Sequence, residues 1–174
     1  MAGRAEGDRL HLGFLQVVQT ELGYVGGLLV TNRQGRPLEF QCTTPVRPNR
    51  TQEILYGPTL QPFIYAELLG KTLFERLAVK PELIVVSQPQ LLDLRRDIPV
   101  PVGCIVTPET AQELADVTRQ RIGQQTVSCH RDFGDDLTEW ERAARLIASE
   151  SDLAEPLDRV RDALFETVRA GAVA

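Results

Sequence analysis

The stretch HLGFLQVVQTELGYVGGLLVTNRQGRPLEFQC, from His11 to Cys42, decides the fold class. It holds three strand-like runs, residues 11–18, 25–30 and 38–42. The first is apolar on both faces (Leu12, Phe14, Leu15, Val17, Val18), as an interior strand covered from both sides reads. The second contains Gly26-Gly27. Glycine inside a strand weakens it unless a bulge, a closely packed helix or a ligand against the backbone needs the space. Residues 32–36, Asn-Arg-Gln-Gly-Arg, supply turn chemistry. The third run alternates, with Leu38, Phe40 and Cys42 on one face and Glu39, Gln41 and Thr43 on the other, the pattern of a half-buried edge strand. The three runs predict an antiparallel meander.

Beyond it, Pro45, Pro48, Gly57 and Pro58 make residues 44–58 irregular. Arg47 and Arg50 flank Pro48-Asn49 there, as a solvated loop or as an anion contact, since guanidinium forks suit phosphate and carboxylate. Residues 59–78 predict a helix with two adjoining stripes, Phe63, Ala66, Gly70, Leu73, Leu77 and Leu60, Ile64, Leu68. A helix apolar this far round is buried. An apolar strand follows at 83–86, and a strand reached through a helix runs parallel to its sheet neighbour. A short helix at 90–95 and a strand at 102–106, bracketed by Pro99 and Pro101, come next. Thr107-Pro108 starts a helix expected over 108–122 (Ala111, Leu114, Val117, Ile122) and stopped by Gly123. Residues 126–129 read as a short extra strand, 136–148 as a helix carrying Trp140, and Asp152-x-x-Glu155 as the cap of a last amphipathic helix. The expected architecture is α/β: a mixed five-stranded sheet, with a sixth strand near Cys129, flanked by helices. Residues 1–9 are expected to be a flexible leader, 10–130 the mixed-sheet domain, and 131–174 an acidic helical extension packed on that domain or on a partner.

A chain of 174 residues with a 43% hydrophobic fraction is long enough for one self-sufficient core. It has no apolar run of membrane-spanning length. Three cysteines and a polar opening segment argue against a disulfide framework and point to a reducing cytoplasm. Residues 1–130 carry 13 acids and 13 bases, whereas 131–174 carry 11 acids and 6 bases, so the tail holds the whole net charge of −5. That tail argues against non-specific nucleic-acid binding.

Chemical motifs are sparse. Gly23-Tyr-Val-Gly26-Gly27 fits no dinucleotide fingerprint, and neither a phosphate-binding loop nor a nucleophile elbow is present. A zinc site would have to draw on Cys42, Cys104, Cys129, His130 and His11, with no Cys-x-x-Cys pair among them. Cys42 and Cys104 sit in strand patterns, where a free thiol behaves as a small hydrophobe. Cys129 and His130 are adjacent, and on a strand their side chains would face opposite ways. No cofactor is implied.

The order of three antiparallel strands, a helix, a parallel strand, a helix and a further strand resembles that of ribonuclease-H-like domains, over about residues 10–120. The resemblance implies carboxylates gathered from two strands and a helix around Mg²⁺ for phosphoryl transfer. Strand 11–18 carries no acid, and strand 83–86 runs into Ser87-Gln88. Glu67, Asp93 and Asp97 remain as candidate acids, with Arg47 and Arg50 as phosphate contacts.

The leading expectation is therefore a non-catalytic cytoplasmic assembly or adaptor subunit. It would self-associate or bind a protein partner through Trp140, Leu157, Val160, Leu164 and Val168, freed by an acidic linker at 149–155. The alternatives are a ribonuclease-H-like nucleic-acid-processing domain with an incomplete carboxylate set, and a small zinc-stabilised module.

Overall fold

A computed structural model describes residues 9–115 and 118–173. The expected leader, apart from Arg9, and Val117 of the expected helix lie outside the described residues. The sheet has seven strands rather than five, in the order β3-β2-β1-β4-β5-β7-β6. β1 (His11–Thr20), β2 (Gly23–Asn32) and β3 (Pro37–Cys42) form the meander. β4 (Leu83–Val86) runs parallel to β1, and β5 (Val102–Ile105) parallel to β4. The added pair, β6 (Arg119–Ile122) and β7 (Gln125–Cys129), is an antiparallel hairpin hung on β5, so β3 and β6 form the two edges.

The hairpin replaces the second half of the helix expected over 108–122; residues 108–115 are turns. Gly123 misled that reading for a physical reason. Its φ of +56° serves a hairpin turn as well as it would end a helix. Only Ile122 of β6 is buried.

β1 alternates as a fully covered strand must. Leu15 and Val17 enter one core cluster, and Leu12, Phe14 and Val18 enter the other. The first face is covered by a continuous helical run: α1 (Arg50–Tyr56), a 3₁₀ turn (Gly57–Thr59), α2 (Leu60–Pro62), a π-helical stretch (Phe63–Lys71) and α3 (Thr72–Arg76). A 3₁₀ segment at Pro89–Arg96 completes that face. The run buries Ile64, Tyr65, Ala66, Leu69, Gly70, Leu73, Phe74 and Leu77, so the expected stripe through Ala66, Gly70, Leu73 and Leu77 lies inside. Of the adjoining stripe Leu60, Ile64, Leu68, Ile64 is buried and Leu68 is 38% exposed.

The second face is covered by α4 (Leu137–Leu146) and α5 (Glu155–Val173). Trp140, Leu157, Val160 and Leu164 are buried in this chain's own core, and Val168 packs against them. They offer no face to a partner. The glycine pair shows how closely both layers press on β2. A Cβ on Gly26 would stand 3.0 Å from Leu73, and one on Gly27 2.8 Å from Leu164. The 149–155 linker is not free either. Gln124 donates to the Ser151 and Glu150 carbonyls, while the Gln125 carboxamide binds Asp152 and the Leu153 amide, all at 2.7–2.8 Å. Among the described residues no helix is long and apolar enough to cross a membrane.

Candidate functional site

Two adjoining pockets open on either side of the 3₁₀ segment that leaves β4, and Asp93 and Arg96 border both. One, of about 430 Å³, lies against the helical run, with Tyr56, Phe63, Glu67 and Asp97 in its wall. The other, of about 400 Å³, is walled by Gln90, Glu113, His130 and Arg131. The segment can sit here because Leu91, Leu92 and Leu94 anchor it in the core while the intervening Asp93 stays exposed.

The segment is clamped to the turn after β7. Arg95 makes a two-point contact with Asp136 (2.8 and 3.3 Å), donates to the Ile98 carbonyl and lies 4.2 Å over the Phe133 ring. This pair is largely buried, the setting in which an arginine fork is worth most. Arg96 reaches Asp132 at 2.7 Å, with both side chains more than half exposed. His130 accepts from the Asp132 amide through Nδ1, so its proton sits on Nε2, which donates to Asp93 at 3.0 Å. Both ring nitrogens are thereby used. The imidazole caps a turn and orients a carboxylate, and it has no free lone pair for a metal or a substrate proton.

The structure thus brings Glu67, Asp93 and Asp97 to one pocket, although Glu67 lies 26 and 30 residues before the other two in the chain. Among the described residues, however, no three His, Cys, Asp or Glu side chains are placed to hold one metal ion. The Mg²⁺ implied by the topology does not fit the donor set. Where β4 ends against the middle of β1, Gln16 and Ser87 meet, hydroxyl to carboxamide oxygen at 3.0 Å. Gln88 brackets the backbone N–H and C=O of Val17 at 3.0 and 2.9 Å.

Arg47 and Arg50 line neither pocket. Arg47 donates to the Glu21 carbonyl and Arg50 pairs with Glu53 at 3.2 Å. The zinc alternative fails on geometry. Cys104 belongs to the core cluster on one sheet face and Cys129 to that on the other, and His130 is committed to Asp93 and Asp132. Burial pushes the Cys104 thiol up to about 12 and the Cys129 thiol to about 11, so both are inert hydrophobes.

Sequence reading missed Arg96 and the stacked pair Tyr56–Phe63, whose rings lie 4.8 Å apart at the pocket wall. It also missed the pairing of His130 with Asp93. The only available signal was residue type: an Arg and two aromatics beside candidate acids.

No family model matches the sequence, and no curated protein matches it. Solved structures do share the fold. An Archaeoglobus fulgidus protein of unknown function is 12% identical over 87% of this chain and 94% of its own, with a TM-score of 0.53. Endonuclease V from Streptomyces avermitilis is 13% identical over 94% and 83%, also at 0.53. Endonuclease V from Ciona intestinalis, solved with a 23mer DNA containing an inosine followed by a ribo-adenosine, is 8% identical over 93% and 86%, at 0.52. At these identities the likeness is one of fold. It corrects the expectation of a non-catalytic assembly or adaptor subunit that avoids nucleic acid. The helix meant to recruit a partner covers its own sheet, and the fold is shared with nucleic-acid enzymes, one of them bound to DNA. The acidic tail was a poor guide, because a net charge is screened beyond about 8 Å at physiological salt and local groups decide what a groove attracts.

Proposed function

We propose that this chain is a ribonuclease-H-like nucleic-acid-processing domain with an incomplete carboxylate set, and that it engages a nucleic-acid strand along the groove flanking residues 89–97. The observation that carries the reading is the fold held in common with the endonuclease V structures over most of both chains. The groove's chemistry supports it. Arg96 is held only by a surface pair with Asp132, an arrangement worth about 1 kcal/mol or less, so a phosphate can take the guanidinium over. Tyr56, 37% exposed and stacked on Phe63, offers a ring face on which a base can lie. Asp93, bonded to His130 through Oδ1, borders the groove, and its remaining acceptor capacity suits an amino group of a base. Three free thiols, two of them buried, fit a reducing cytoplasm.

Fluorescence anisotropy tests this with labelled single-stranded DNA, duplex DNA and RNA, including an inosine-containing strand of the kind bound in the Ciona structure. Binding that weakens as salt rises is expected. Arg96→Ala should weaken it about tenfold, the loss of one charge-assisted contact. No binding to any of these strands at low salt would overturn the reading.

A further inference from the structure

We infer that this site engages nucleic acid without divalent metal ions, the end of β4 being closed against β1 by a neutral hydrogen-bonded lock. The inference rests on the function proposed above and adds how the site works. In a sheet of this kind ligands gather outside the carboxyl ends of parallel strands. Among the parallel strands β1, β4 and β5, β4 stops at Val86 while β1 runs on to Thr20, and the register Leu15↔Val86 sets Gln16 beside Ser87 at the carboxyl end of β4. A divalent hard cation at that point needs anionic oxygens. The residues present are two carboxamides and a hydroxyl, all neutral, and each carboxamide oxygen already accepts a hydrogen bond. Gln16 Oε1 accepts from the Ser87 hydroxyl, and Gln88 Oε1 from the Val17 amide, while Gln88 Nε2 donates to the Val17 carbonyl. Gln88 thereby continues the β1–β4 pairing with its side chain. Releasing it to bind an ion would leave the half-buried end of the ladder without partners. The amide surface continues outward through Gln90 and Gln61, 3.5 Å apart, toward the Tyr65 hydroxyl. The carboxylates that line the two pockets, Glu67, Asp93, Asp97 and Glu113, form no metal-holding group among the described residues.

The test compares a fluorescein-labelled single-stranded oligonucleotide in Mg²⁺ and in EDTA at matched ionic strength, with melting of the free protein followed with and without Mn²⁺. Affinity within about twofold in the two buffers and no Mn²⁺-dependent shift in melting would support the inference. Binding or strand cleavage that requires Mg²⁺ would overturn it while leaving the proposed function standing. Absence of binding in both buffers would overturn that function instead. A folded Gln16→Asp, Ser87→Asp double variant should gain a Mn²⁺-dependent rise in melting temperature. If it stays unresponsive, the strand ends are not the position an ion would take, and the inference falls.

Discussion

At the scale of single residues the packing is least forgiving around Gly103. A Cβ there would lie 2.2 Å from Val127 Cγ1 and 2.5 Å from the Trp140 ring, on two elements that cannot both retreat. Gly103→Ala should destabilise the fold by about 3 kcal/mol, read as a lower urea midpoint with an unchanged slope. The thiols give a chemical counterpart. Cys42 is only partly buried, so iodoacetamide should label it in the native protein and spare Cys104 and Cys129 until the chain unfolds. Those two remain protonated in the folded chain where the unfolded chain ionises them. Stability should therefore decline as pH rises above the ordinary thiol value of 9.0 and keep falling until the folded thiols titrate at about 11 and 12. At the acid end the sign reverses for Glu39. Hydrogen bonds from Gln41 and from the Val79 and Ala78 amides hold its carboxyl below the usual value of 4.5, so its contribution is lost as pH drops under that value. Thermal melts across pH check both limbs.

At the scale of elements, the linker before α5 is fastened by side chains on the β6–β7 turn, and Gln125 makes two of those bonds. Gln125→Ala should cost about 1 kcal/mol and speed hydrogen exchange at the Leu153 amide, which donates to it, more than at amides of β1. Elements also show where the sequence was legible. β1 and β4 could be read because a short run apolar on both faces marks a covered strand from local pattern alone, and β3 was placed as a strand, although Leu38 and Phe40 of its expected buried face are exposed. The π-type bonding of Phe63–Lys71 could not, because that stretch is helical in composition and its hydrogen-bond step is invisible in the letters. Gly123 suits two different endings, and only the tertiary contact with Ser151, which a Cβ would strike at 2.3 Å, chooses between them. The site was half legible. Glu67, Asp93 and Asp97 were picked as residue types, but the clamp that presents them joins Arg95 to Asp136 and Asp93 to His130 across 41 and 37 residues.

At the scale of the molecule, the two helical layers are both needed. Truncation before residue 152 would strip Leu12, Phe14 and Leu29 of their cover, so the shortened chain should lose cooperative melting by circular dichroism rather than persist as a smaller domain. The same view explains what the added hairpin does for solubility. Without it the sheet would end at β5, Val-Gly-Cys-Ile, buried on every residue and apolar enough to accept another strand from any neighbour. With it the margin is β6, where Arg119 and Arg121 stand in solvent. The opposite margin, β3, begins at Pro37, which has no amide proton to donate, and its pairing with β2 breaks register opposite Val30 and Thr31. Neither border is a template for growth, so fibril seeding should be suppressed in this protein as long as the hairpin stays folded.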